Sequence, residues 1–280
     1  MKEVKRIGDV CKVDADGVIV NTSSMNNVSA NFQEAMFYIK RELLSSFREE
    51  IHSIYVRGSV PRGFGIEGVS DLDMILITRS KEEELRSTAL NKIEQDLIER
   101  YPFVNGVEMS VFSLEDVLET SRFAMIPFMI KTHSICIYGD NVQKKLPHYR
   151  ADKALANAHI YHLKPLLLQA KDELEGNEDP EDVKDCCVWI MKIIIRCGLA
   201  LVIEREQTYT RDLYPAFELF RKHYPEKEVE MRRALHFAVN PPKEIEAILA
   251  FLDGFGDWMI LKAEKWLAEN NAKMQKHLQL

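Results

Sequence analysis

Long apolar runs are missing from this 280-residue chain: the longest, 188–203, is interrupted by Lys192 and Arg196. A membrane-spanning helix needs about 20 predominantly apolar residues, so this segment is expected to be a buried helix and no membrane partner is expected. Cysteine is scarce as well. Cys11, Cys136, Cys186, Cys187 and Cys197 are an odd set without a Cys-x-x-Cys pair, which argues against a disulfide scaffold and reads as reduced thiols of a cytoplasmic protein. No apolar core follows Lys2, Lys5 and Arg6, so no secretory signal is expected. Basic residues are outnumbered, 37 Lys and Arg against 44 Asp and Glu, for a net charge of −7. A surface of that sign repels nucleic acid and suits a cationic small molecule better. Internal repeats and low-complexity tracts are absent, and the length fits two ordinary domains. Nothing in the pattern specifies an oligomeric state.

What is present is concentrated in one segment. Gly58-Ser59-Val60-Pro61-Arg62-Gly63 forms a glycine-bounded turn, and Ser70-Asp71-Leu72-Asp73 follows, leading into Met74-Ile75-Leu76-Ile77. Successive strand side chains point to opposite faces, so Asp71 and Asp73 share one face and Leu72 and Met74 take the other. Two carboxylates on one face can hold a hard cation such as Mg²⁺, which uses one or two carboxylates together with substrate phosphates. Glycine lets backbone N–H groups approach and cradle an anion. An Asp-x-Asp pair alone more often caps a strand or solvates a loop; the glycine turn, Ser70 and the apolar run make the combination far more specific. Downstream, 104–112 alternates, with Val107, Met109 and Val111 on one face and Glu108 and Ser110 on the other. A lone Glu on such a strand is ordinarily solvated. Behind the Asp pair, Glu108 becomes the candidate third carboxylate, as a metal ligand or as general base on an acceptor hydroxyl.

Around these motifs a short hairpin is expected at 11–21, turning at Asp14-Ala15-Asp16-Gly17; the absence of a closing Glu at calcium-loop spacing favours a plain turn. Ser29 is expected to cap a helix over 30–49 carrying Phe32, Met36, Ile39 and Leu43 on its apolar side. Strands at 53–56, 71–78, 104–112 and 134–139 and helices at 81–101 and 115–131 complete a small sheet with flanking helices. From about His148 the pattern is helical alone: 151–174 with a kink at Pro165, 181–204, 212–223, 226–239 and 244–268. The expected organisation is an N-terminal extension (1–28), an α/β domain (29–147) and a helical domain (148–280), an α+β chain overall.

The joint motif, from Tyr55-Val56 through Gly58-Ser59 and Ser70-Asp71-Leu72-Asp73, resembles the signature of the DNA polymerase β-like nucleotidyltransferase superfamily. That resemblance implies a small polymerase β-like sheet followed by an all-helical domain forming a second wall of the active-site cleft. It implies that Gly58, Ser59 and Ser70 bind the triphosphate of an NTP, taken as ATP, and that Asp71, Asp73 and Glu108 are the catalytic acids and ligands of a two-metal Mg²⁺ site. The order of a catalytic α/β part and a helical part is similar to the aminoglycoside adenylyltransferases that modify streptomycin and spectinomycin. Uncharacterised nucleotidyltransferase-domain proteins look similar as well. The implied reaction is transfer of AMP from ATP to a hydroxyl of a small molecule such as an aminoglycoside, with release of pyrophosphate. A protein or tRNA acceptor, as in antitoxin- and toxin-like enzymes, and a non-catalytic nucleotide-binding module are the alternatives. The Gly58-to-Asp71 loop departs from the aminoglycoside enzymes by an extra residue and by Arg62. The position where they present an aromatic residue to the antibiotic falls near Gly198.

Other charged and aromatic residues carry both a functional and a plain reading. Arg62 is expected either to grip phosphate, which guanidinium binds bidentately, or to be a loop charge. Arg221-Lys222 and Arg232-Arg233 could reach phosphates, though helix Arg pairs are usually solvated. Lys192 and Arg196 share a helix face and are expected either to line the cleft between the domains or to snorkel at the surface. Asp212 could receive a cationic acceptor, though an N-cap explains it without a ligand. His159 and His162 lack a third zinc ligand. Trp189, Trp258 and Trp266 read as core.

Overall fold

The structure is a computed structural model describing residues 4–81 and 85–270. Residues 1–3 of the segment read for a signal sequence, residues 82–84 of the expected 81–101 helix and the last ten residues of the expected helical domain lie outside the described residues. The chain divides into two compact units, one of residues 12–149, the other of the segment up to Cys11 with the chain from Arg150 onward.

The first unit is an α+β layer. Its elements are α1 (Ala30–Phe47), β1 (Ile51–Arg57), β2 (Leu72–Thr78), α2 (Ser87–Arg100), β3 (Val107–Ser113), α3 (Leu114–Leu118), α4 (Met125–His133) and β4 (Ser134–Gly139). The strands form one mixed sheet in the order β3-β2-β1-β4, with β1 antiparallel to β2 and β4, and β2 parallel to β3. The crossover from β2 to β3 runs through α2, as a parallel pair requires. α1 buries Phe32, Ala35, Met36, Ile39, Leu43 and Phe47, the i, i+3, i+4, i+7 stripe of a helix lying on a sheet. These pack with Ile54, Val56, Leu72, Met74 and Leu76 on one sheet face; Tyr55, Ile75 and Ile77 pack with Val117 and Ile130 on the other. Each fully buried aliphatic side chain contributes roughly 1.5–3 kcal/mol, and the alternation fixes register, since a one-residue slip would turn every side chain to the wrong face.

Three local expectations change. The hairpin is reduced to a single bridge between Val13 and Ile19; its turn is held by Asp14, whose Oδ1 accepts from the N–H of Asp16 and Val18 at 3.0 and 2.9 Å, so that carboxylate is used inside the turn. The helix expected at 115–131 is two, α3 and α4. Ser113 caps the first by accepting from the Asp116 N–H, and Pro127 lies in the first turn of the second, where its missing N–H costs nothing. Ser29 stands at the N-cap of α1 without a side-chain cap hydrogen bond.

The helical unit comprises α5 (Lys153–Ile160), α6 (Leu163–Leu174), α7 (Pro180–Ala200), α8 (Ile203–Glu206), α9 (Leu213–His223), α10 (Glu228–Val239), α11 (Ile245–Phe251) and α12 (Asp257–Asn270). Pro165 sits in the first turn of α6, so the 151–174 segment breaks just before it rather than kinking there. The 244–268 helix is interrupted by a π-helical turn, Leu252–Gly256. α7 is the central helix: Ile190, Met191, Ile194 and Ile195 are buried despite Lys192 and Arg196 on the same segment. None of the described helices is long and apolar enough to cross a membrane. Of the three tryptophans only Trp266 is buried; Trp189 and Trp258 are half-exposed, and Trp258 stacks on Phe255. At Gly198 an added Cβ would lie 2.4 Å from Met231 and 3.1 Å from Phe220. This is a tight helix crossing against α9 and α10, with no room for an aromatic side chain.

Candidate active site

β1 ends and β2 begins at the loop that joins them, and sheet register draws Arg57, the last residue of β1, into one transverse row with the second residues of β2 and β3. Arg57 is the cross-strand partner of Asp73, and Asp73 is the partner of Glu108 on the other side. Residues directly opposite on neighbouring strands have side chains close enough to interact, and here one guanidinium nitrogen is shared. Arg57 Nη2 lies 2.5 Å from Glu108 Oε1 and 3.4 Å from Asp73 Oδ1. Ser110 Oγ, on the same face of β3, donates to that Glu108 oxygen at 3.3 Å. Exposure is graded along the row: the side chains of Arg57 and Asp73 are 14% and 21% exposed, that of Glu108 59%. Burial pushes the Asp73 carboxyl up to about 6; Arg57 opposes this, while Glu108 and Asp71 add to it by like charge. Such a carboxyl, kept against its ordinary preference by burial and like charges, is a frequent mark of a functional site.

Asp71 does not join the Arg57 contacts. It lies just before β2, exposed, where its Oδ1 accepts from Asn105 Nδ2 at 2.9 Å, and Gly106 permits this approach, since an added Cβ there would come within 3.2 Å of the same oxygen. The Leu72 N–H donates to the Gly106 carbonyl at 2.8 Å, tying the start of β2 to the segment that leads into β3.

The turn is packed against the acids. Gly58 has φ +86°, and a Cβ added there would meet Asp73 Oδ2 at 2.1 Å. Only glycine meets both demands, a left-handed backbone and a carboxylate lying against its Cα. Ser59 follows in right-handed conformation and leads the short 3₁₀ turn Val60–Arg62; its carbonyl accepts from the N–H of Arg62 and Phe64. A left-handed residue followed by a right-handed one is the kind of turn whose N–H groups form an anion-binding concavity. Ser59 Oγ donates to Ser70 Oγ at 3.2 Å, and Ser70 Oγ accepts from the Ile66 N–H at 2.9 Å, so the two serines close the loop between the turn and the Asp pair. Arg62 is half-buried with its guanidinium 5.1 Å over the Phe64 ring.

The expected residues therefore fall into three groups. Gly58, Asp73 and Glu108 are brought together through Arg57; Ser59 and Ser70 are bonded to each other beside them; Asp71 is held next to them by Asn105. Arg57 and Asn105 had no expected role. An Arg before glycine at a strand end looks like a solvated terminus, and only strand order and register reveal that it stands opposite two acids.

Among the described residues no three His, Cys, Asp or Glu side chains converge tightly enough to form a ready-made metal cage. The donor set is nonetheless of the right kind for Mg²⁺: hard carboxylate oxygens, surplus negative charge around a half-buried Asp73, and a glycine leaving Asp73 Oδ2 uncovered by any side chain at Gly58. A cation that takes one or two carboxylates and fills the rest of its shell with water and phosphate does not need a full protein cage.

In the helical unit the charged candidates are engaged locally. Arg221 pairs with Glu218 at 2.7 Å, Lys222 with Glu206 at 3.1 Å and Arg232 with Glu228, and Arg233 lies over the Phe237 ring. Asp212 stands at the N-cap of α9 but does not cap it; its Oδ2 accepts from the Asp9 N–H at 2.9 Å. His159 pairs with Tyr209, Nε2 to Oη 3.1 Å, and burial followed by the Arg211 and Arg196 charges holds its imidazole well below the usual histidine range. A pocket of about 400 Å³, lined by Glu173, Asn177, Asp182, Asp185, Cys186 and Trp189, includes none of the candidate residues.

No family model matches the chain, and no curated protein matches it.

Proposed function

We propose that this protein is a Mg²⁺-dependent nucleotidyltransferase that transfers a nucleoside monophosphate, AMP from ATP, to a hydroxyl of a small and cationic acceptor. The observation that carries the reading is the joining of two motifs far apart in sequence: the glycine turn packs directly on Asp73, and register sets Glu108 beside the same carboxylate. That joining supports the reading drawn from the motif's resemblance to the polymerase β-like signature.

In this reading Asp71 and Asp73, with Glu108, hold Mg²⁺, which when bound would neutralise the triphosphate and polarise the phosphorus under attack. Gly58 and the N–H groups of its turn seat the phosphates, and the bonded Ser59–Ser70 pair keeps that turn in shape. Arg62 is the adjacent guanidinium. Glu108, the most exposed acid of the row, takes the proton of the acceptor hydroxyl as attack proceeds. The net charge of −7 favours a cationic small molecule over tRNA. An aminoglycoside fits that description.

One observation favours a second reading. Because Arg57 already pairs with Asp73 and Glu108, the row also satisfies itself as a structural charge cluster in a non-catalytic nucleotide-binding module. Incubation with α-labelled ATP, Mg²⁺ and a panel of aminoglycosides separates the two. Label transferred to an acceptor with matching pyrophosphate release, abolished in Asp73→Asn, supports the enzyme; nucleotide binding without transfer to any acceptor or copurifying protein supports the module.

A further inference from the structure

Arg57 is held between two of the acids, and its placement is specific. It is the last residue of β1, directly before Gly58. Its Nη2 contacts both Asp73 Oδ1 and Glu108 Oε1, while its Nε is buried without a hydrogen-bond partner. A guanidinium placed for stability alone would be expected to use its forked donors in a bidentate pair; here a single nitrogen is divided between two carboxylates. That is the geometry of a cation standing in for another between two anions. Asp73 Oδ1 faces Arg57 and Asp73 Oδ2 faces Gly58, so the two oxygens are already assigned to two sides of the site.

We infer that Arg57 is a built-in competitor for the divalent cation: it holds Asp73 and Glu108 in place when no metal is bound, and it weakens metal binding so that the ion enters together with the nucleotide triphosphate. The inference rests on the reading of Asp73 and Glu108 as metal ligands and concerns how that site is regulated. Asp71, Asp73 and Glu108 bring three negative charges and Arg57 removes one. A divalent ion arriving alone meets the like charge of the guanidinium at a few ångströms, where repulsion in a partly buried site is substantial. When the ion arrives with a triphosphate, the anionic phosphates supply a new partner for the guanidinium, which binds such oxygens well. Arg57 therefore couples metal to nucleotide: the free ion binds weakly, the pair strongly.

The test is Mn²⁺ binding, followed by the electron paramagnetic resonance signal of the free ion, for the wild-type chain, Arg57→Gln and Arg57→Lys without nucleotide. Arg57→Gln should bind Mn²⁺ at least ~10-fold more tightly, because one positive charge is removed from beside the ion. Arg57→Lys keeps the charge and should stay within about threefold of wild type. Unchanged or weaker binding by a folded Arg57→Gln protein would overturn the inference while leaving the metal site standing. Absence of saturable Mn²⁺ binding in all three proteins would remove the metal-site reading and this inference with it. Should Arg57→Gln not fold, ¹⁵N spectra of the wild-type chain decide: the Arg57 Nε–H resonance moves on saturable Mg²⁺ titration if the guanidinium yields its carboxylates, and a metal-bound protein with that resonance unmoved contradicts the proposal.

Discussion

Charged residues behave differently in the two units. In the helical unit Arg221, Lys222 and Arg232, whose side chains are 40%, 58% and 54% exposed, pair with acids on their own or adjacent helices, where each ion pair is worth little. In the sheet unit Arg57, Asp73 and Glu108 face one another across three strands, and Asp73 is held against the ordinary preference of a carboxyl. The difference separates charges that the fold merely tolerates from charges that it retains at a cost. Retention at a cost is what a functional site looks like energetically.

The contrast should break most visibly at Gly58. Gly58→Ala puts a Cβ into a left-handed backbone and onto the Asp73 carboxylate, so a loss of roughly 2 kcal/mol or more is expected, with transfer activity down at least ~100-fold because Asp73 is displaced. Chemical denaturation and the labelled-ATP assay read the two effects.

Asp73→Asn should sharpen the comparison by moving stability the other way. With the folded-state value near 6 and the unfolded one near 3.8, the native state holds its proton more firmly, so the wild type loses stability as pH rises from about 4 through 6. The neutral amide escapes that loss. Melting curves are expected to show the variant more stable by about 1–3 kcal/mol at pH 7, with the gain shrinking towards pH 4. A variant less stable at pH 7 would mean that the Arg57 pairing outweighs burial.

Asn105→Ala removes the amide that donates to Asp71. Asn105 is exposed, so stability should fall by only about 0.5 kcal/mol, while on the proposed reading Mn²⁺ binding weakens ~10-fold as Asp71 loses its support. Arg221→Ala in the helical unit is expected to cost under ~0.5 kcal/mol and to leave metal binding unchanged, as denaturation and Mn²⁺ titration would show.

How far the site was legible depended on distance along the chain. Strand alternation sets Asp71 and Asp73 on one face and Leu72 with Met74 on the other; Leu72 and Met74 do pack together in one buried cluster, while Asp71 lies just before the strand. Gly58 could be read because a short motif contains both the turn and the acids it serves. Arg57 could not, since its meaning lies in the order β3-β2-β1, a pairing between segments some 50 residues apart that no local periodicity encodes. The breaks within helices were missed for a related reason: the 115–131 and 244–268 segments keep apolar periodicity across their breaks. At Asp212 the local pattern shows only the cap position, whereas its carboxylate accepts from the Asp9 N–H, some two hundred residues away in sequence.

On the proposed reading the Asp pair and the glycine turn form one site for metal and triphosphate. Thermal melting with ATP, with and without Mg²⁺, tests it most directly, because a ligand that binds only the native state raises the melting temperature by mass action. The wild-type chain should gain a saturable, Mg²⁺-dependent shift with ATP, and the Asp71→Asn/Asp73→Asn double variant, folded by circular dichroism, should show none. An equal shift in both proteins, or none in the wild type, would contradict the account.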